Sequence, residues 1–161
     1  MTVNVPRWLK RILIGLGSLV LLFGLMQLIP YGRTHSNPPV TKEPKWDSPR
    51  TRELAKRACF DCHSNETKWP WYANVAPMSW VLEFDIEAGR SVINFSEWDK
   101  TYPLAMYSSQ SILQGGMPTL KYKMAHPEAN LSPKESEELA RGMDATLGVS
   151  PEHVAPMGPP P

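Results

Sequence analysis

The hydrophobic pattern divides the chain into one unbroken apolar stretch and a series of shorter, mixed segments. Ile12 to Ile29 (ILIGLGSLVLLFGLMQLI) contains no charge. At about 1.5 Å per helical residue it comes close to the ~30 Å hydrocarbon core of a bilayer. Arg7, Lys10 and Arg11 precede it, and cations flank the cytoplasmic end of a span, so Met1 is expected inside and everything after Pro30 outside. Trp8 and Tyr31 fall where interfacial aromatics belong. The run is long for the apolar part of a cleaved signal, and MQLIPYGRT offers no small-x-small cleavage site. A retained single-pass anchor is predicted.

The mixed segments read as helices. Ser48 is a capping residue with Pro49 at the first helical position, opening a helix through RTRELAKRACFDCH. SNETKWPWYANVAP holds Pro70 and Pro77 and predicts an irregular, aromatic-lined loop. In MSWVLEFDIEAGRSVINF, Trp80, Phe84 and Ala88 recur at spacing four and predict the buried face of a second helix, weakening at Gly89. A short helix is expected to start at Ser96, with Glu97 and Asp99 in its first turn, and a further one to end at Gly115–Gly116. MPTLKYKMAHPEAN reads as an extended loop. LSPKESEELARGMDATLG then carries a capping box, with Ser132 as N-cap, Pro133 at N1 and Glu135 at N3; Gly148 ends it. No convincing strand alternation appears, so the exported part is predicted to be all-α.

Composition adds limits. The 161 residues carry a net charge of +1 and 42% hydrophobic content, which suits one small domain plus an appendage. There is no concentrated basic face, so nucleic acid is not an expected partner. Seventeen prolines gather largely at 30–49, near Pro70 and in the C-terminal PEHVAPMGPPP, which marks linkers and a tail. The expected organisation is a cytoplasmic N-terminus (1–11), an anchor (12–29), a proline-rich tether (30–47), one domain (48–148) and a proline-rich tail (149–161).

The chemistry concentrates in RACFDCHSNETKWPWY, which holds both cysteines, Cys59 and Cys62, with His63 directly after. A thioredoxin-type pair needs a βαβ context, and no sheet is predicted. A closed zinc site wants four ligands; beyond this stretch only His35, His126 and His153 remain. A disulfide across two residues closes a tight loop and stabilises little. Covalent haem attachment uses all three residues: two thiols add to the two vinyl groups, and the histidine reaches the iron. That attachment is made outside the cytoplasm, in agreement with the predicted topology.

From CFDCHSNETKWPWYANVAPMSWVLEFDIEAGRSVINFSEW through GGMPTLKYKMAHPEANLSPKESEELARGM, the sequence resembles the bacterial haem-binding domain family of membrane-anchored monohaem c-type cytochromes. The likeness covers roughly residues 45–148. It rests on the CxxCH box, WPWY, VAPxSW, GRxxxNFSxW, the MP loop and HPEANLS. It implies a cytochrome c-like helical fold and one covalently attached haem c, with Cys59 and Cys62 as thioether anchors and His63 as proximal ligand.

Met117 is the expected sixth ligand, with His126 as its rival. Met117 follows two permissive glycines and precedes Pro118, in a loop similar to the distal methionine loop of cytochromes c. A methionine there would raise the reduction potential. His126, in the same loop, would give bis-histidine coordination. Met124 and Met78 are weaker alternatives, and Met106 and Met143 fit a core. Trp69, Trp71 and Tyr72 are candidates for the haem wall, whereas Trp80 and Trp98 are expected in the core. Arg90 could pair with a propionate or simply be solvated, and Asn94 and Tyr122 could hydrogen-bond to a propionate or an axial ligand.

The expected function is one-electron transfer on the outer side of the cytoplasmic membrane. The expected partners are redox proteins at or near the membrane, plus the lipid bilayer through the N-terminal helix. A haem-based sensor or small-ligand binder is the alternative, and a peroxidase-like module a third. The chain reads more as a carrier than as an enzyme.

Overall fold

Helix α1 (Arg7–Met26) opens on a basic turn and continues from Ile12 almost entirely in Leu, Ile, Val, Phe and Gly, with no residue of it buried against the rest of the chain. The computed structural model describes residues 6–149. They fall into two compact units, one of residues up to His35 with Trp69–Phe84, the other of Ser36–Lys68 with Asp85 onwards. The proline-rich tail lies outside the described residues, apart from Val149.

In the first unit, α1 is long and apolar enough to cross a membrane. It stops three residues before the apolar run does. Gln27 takes over as cap, and Pro30, which has no N–H to continue a helix, opens a turn closed by Arg33 N to Pro30 O. The Gln27 amide donates to Ala76 O at 2.9 Å and accepts from Ala76 N at 2.9 Å, while Arg33 donates to its oxygen. Residues 71–74 form a single 3₁₀ turn. His35, at φ 49°, stacks on Trp69 at 4.7 Å.

In the second unit the regular elements are helices joined by turns and loops. Its helices are α2 (Pro49–Ala58), the single turn α3 (Phe60–His63), the C-terminal part of α4 (Met78–Val92), α5 (Ser108–Leu113), α6 (Leu120–Ala125) and α7 (Pro133–Leu147). Among the described residues no strand forms; one isolated bridge joins Lys42 and Glu97. The all-α expectation holds.

α2 and α7 begin as their sequences dictate. The Ser48 side chain accepts from Thr51 N, and Ser132 with Glu135 completes the capping box. Gly148 ends α7 at φ 66°. Glu135 also accepts from Arg57 at 2.6 Å, tying α7 to α2. These bonds from Ser132 and Arg57 hold its carboxyl down to about 2. α2, α5 and α7 meet around Leu54, Ala55, Phe60, Ile93, Phe95, Ile112, Leu139 and Met143. Each large apolar side chain buried this way contributes ~1.5–3 kcal/mol. Close approach of α7 to α2 depends on Gly142, where a Cβ would lie 2.0 Å from Thr51 Oγ1.

Four expectations change. Phe84 is 65% exposed and Ala88 is exposed as well; α4 buries Ser79, Ile86 and Gly89 instead. A stripe of one serine, one isoleucine and one glycine gives little hydrophobic signal. Ser96 opens no helix, because its carbonyl accepts from Thr41 N and Lys42 N and its hydroxyl from Asn65 N, which holds the segment in turns. Residues 120–125 and 127–129 are helical where a loop was expected. Met106 is 36% exposed rather than core, while Met143 is buried.

Residues 36–47 make contacts of their own. Asn37 bonds to Thr67 O, Thr41 to Ser96 O and Asp99, and Trp46 packs on Phe95 at 5.1 Å.

Candidate functional site

The box Cys59–His63 folds as one tight turn. α2 ends at Ala58, and Cys59 (φ −126°) interrupts the helix. Its carbonyl then accepts from both Cys62 N (3.2 Å) and His63 N (2.9 Å). Residues at i, i+3 and i+4 share a helical face, so both thiols and the imidazole are gathered by backbone bonding within five residues. Phe60 takes the other side. It is 2% exposed, stacked on Phe95 at 5.6 Å and set against Trp46 at 6.2 Å, which fastens the turn to the core.

The imidazole is oriented by α4. His63 Nδ1 lies 2.9 Å from Gly89 O and 3.2 Å from Ile93 O. Carbonyls only accept, so Nδ1 carries the proton and Nε2 keeps the lone pair. Burial pushes the His63 pKa below its ordinary value, against the pull of those two carbonyls, so the ring is neutral at physiological pH. Such a ring is the form that binds a metal, with its far nitrogen held by an oriented acceptor. Gly89 makes the approach possible, since a Cβ there would sit 2.4 Å from Cys62 O.

Both thiols are free. Burial pushes Cys59 up to about 12, with Cys62 adding to the effect; burial, then Asp85 and Asp61, pushes Cys62 up to about 11. A redox pair needs the opposite, a thiol lowered towards neutrality. Among the described residues no group of three or more His, Cys, Asp or Glu gathers to hold a metal ion. The turn thus brings together two protonated thiols and one neutral imidazole.

The loop after the box is fixed by polar contacts. Arg90 donates to Ser64 O (2.8 Å), Ser36 O (3.0 Å), Asn37 Oδ1 (3.1 Å) and Thr67 Oγ1 (3.1 Å). It therefore supports backbone rather than standing solvated. Asn94, 3% exposed, donates to Asn65 Oδ1 and accepts from Ser96 N. Tyr122 donates to Asp61 Oδ2 at 2.7 Å, and burial together with that carboxylate holds the phenol protonated. Lys121 pairs with Asp85 at 2.6 Å. α6 is thereby tied to the turn that carries the cysteines.

Met117 is 41% exposed, its N–H bonded to Ser111 O. His126 stacks on Tyr122 at 4.3 Å and sets Nδ1 3.2 Å from Glu128. Met124 is 77% exposed and Met78 43%. Trp71 is exposed and edge-on to Tyr72, Trp69 lies on His35, and Trp98 stacks between Phe95 and Tyr102. Along residues 104–124, Leu104, Tyr107, Leu113, Met117, Leu120 and Met124 all expose apolar surface. That much open apolar side chain suits a large flat hydrophobic group.

Comparison with known families settles what kind of domain this is. The model of the haem-binding domain family matches residues 21–145, well over half of the chain. The chain belongs to the haem-binding domain family. No curated protein and no solved structure matches it. The donor set, the neutral imidazole with one free ring nitrogen, and the exposed apolar segment fit the cofactor that names the family.

Three contributors escaped the sequence reading: the Gly89 and Ile93 carbonyls and the Asp61–Tyr122 bond. Gly89 stands 26 residues from His63 and left only the trace of a glycine inside a helix. Tyr122 is open to test. Tyr122→Phe removes a bond to a carboxylate, commonly worth ~1.5–3 kcal/mol, and partial exposure of the pair places the expected loss near ~1.5 kcal/mol. A thermal melt followed by circular dichroism checks it; Asp61→Asn, which keeps an acceptor, should lose less.

Proposed function

We propose that this haem-binding domain is a monohaem c-type electron carrier with a cytochrome c-like helical domain, anchored by α1 with that domain on the outer side of the cytoplasmic membrane. The observation that carries the reading is the His63 ring, its proton committed to Gly89 O and Ile93 O, on one helical turn with both thiols. Cys59 and Cys62 would hold the group through thioethers, and His63 Nε2 would bind its iron. A haem so held supplies a one-electron couple.

Met117 is the proposed sixth ligand. His126 is already engaged by Tyr122 and Glu128, whereas the Met117 side chain stands on the open apolar segment. Thioether ligation raises the potential relative to bis-histidine ligation. The Glu135, Arg90 and Asn94 networks keep the surrounding backbone rigid, so little has to move when the charge on iron changes. The partners would be redox proteins at or near the membrane.

The test is the visible spectrum of the purified protein, oxidised and reduced, with and without carbon monoxide. The expected result is a low-spin spectrum with the far-red sulfur-to-iron band and no response to carbon monoxide. Met117→Ala should abolish that band, lower the potential and open the iron to carbon monoxide; His126→Ala should do none of these. A wild-type spectrum that is high-spin or shifts with carbon monoxide would favour a sensor or small-ligand binder.

A further inference from the structure

The first unit exposes more apolar surface than its anchor accounts for. Trp71 is 80% exposed, Phe84 65%, Met78 43% and Val81 39%. Segment 69–84 (WPWYANVAPMSWVLEF) carries a single charged residue, Glu83. A scattered surface leucine needs no explanation, but an apolar group of this kind on a nearly uncharged segment marks a contact.

Its depth is set by the end of α1. The Gln27 side chain, capping α1, holds Ala76 through two 2.9 Å bonds. Gly32, at φ 75°, presses so close to the N-terminal turn of α4 that a Cβ would lie 2.1 Å from Ser79 O. The uncharged run Ile12–Ile29 comes close to the ~30 Å hydrocarbon layer at about 1.5 Å per residue, so its outer end falls at residues 27–29. Residues 27–32 then cross the boundary between acyl chains and headgroups, and Ala76 and Ser79 are held against Gln27 and Gly32. Trp71, Met78, Val81 and Phe84 are within five residues of those pinned positions.

We propose that segment 71–84 is a second membrane contact, lying in the boundary between headgroups and acyl chains beside the outer end of α1. This rests on the reading of α1 as a span. Tryptophan is suited to that boundary, its ring apolar and its N–H able to meet polar headgroups. Leu28 at 76% and Tyr31 at 43% exposure continue the same apolar zone. The contact gives the first unit two points of attachment, α1 and segment 71–84.

The test uses the full haem-loaded chain in lipid nanodiscs with a membrane-partitioned photoactivated carbene, followed by tryptic mass spectrometry. Trypsin releases α1 as residues 12–33, the proposed contact as 69–90, and a reference peptide, 91–100, which bears the exposed Val92. The expected result is label on 12–33 and on 69–90 well above the reference. In a Trp71→Ser/Phe84→Ser variant, label on 69–90 should fall to the reference level while 12–33 keeps its own. Both residues are exposed, so the fold survives the change. Label on 12–33 with 69–90 at reference level overturns the proposal and leaves the segment open to a protein partner. Absence of label from 12–33 overturns the anchor reading and this proposal with it.

Discussion

Substituting Cys59 and Cys62 together by serine is expected to leave the mature chain at its polypeptide mass, whereas the wild-type chain is expected to carry the added mass of one haem. The reason is chemical. A thiol adds across a vinyl group to give a stable thioether, and an unactivated serine hydroxyl does not. Each single variant keeps one thiol and is expected to retain the adduct through one bond, in lower yield. The fold is expected to persist, since exchanging sulfur for oxygen at a half-buried position costs about 1 kcal/mol. Intact mass spectrometry under denaturing conditions, after expression in a host that attaches haem, reads the outcome directly. An adduct on the double variant, or none on the wild type, would sink the assignment of these cysteines.

The second large effect is expected at Gly89. On helix propensity alone Gly89→Ala would gain ~1 kcal/mol inside α4. The contact decides otherwise. The new Cβ would meet Cys62 O at 2.4 Å, and the obstacle is backbone, which cannot rotate aside. Overpacking of this kind costs ~1–3 kcal/mol, and forcing α4 away also lengthens the His63 Nδ1 bonds to Gly89 and Ile93. A net loss of about 2 kcal/mol, or a fall in Tm on the order of 10 °C for a domain of this size, is expected. Haem occupancy should fall as well. Gly89→Ala that melts at the wild-type temperature with full occupancy would show that this approach is not needed. Ala88→Gly, at an exposed neighbour, separates the helix cost from the contact.

The sequence disclosed features whose causes are local. Ser48, Ser132, Pro133 and Glu135 announce their caps because each acts within three residues, and the CxxCH turn is self-contained. Features depending on distant partners were not readable. Phe84 and Ala88 mimic a buried stripe, but the face α4 turns inward is chosen by the need to bring Gly89 against Cys62. Ser96 and Glu97 imitate a helix start, yet Thr41, Lys42 and Asn65 claim them first. Met117 to Asn130 looked like loop because Pro118 and Pro127 bracket it, although six residues suffice for α6. The family and its fold class were legible; the groups that orient the imidazole were not, since a backbone carbonyl has no letter of its own.

The turn at Cys59 has a consequence for timing. Its closure spans five residues, and loops so short form far faster than contacts between distant segments. Both sulfurs and the ring can therefore be presented by a nascent chain that has not folded. The carbonyls that fix the ring's proton come from 26 and 30 residues downstream and arrive only with α4. The proposed thioether bonds could thus form before α4 packs, and packing of α4 then fixes which nitrogen of the ring carries the proton.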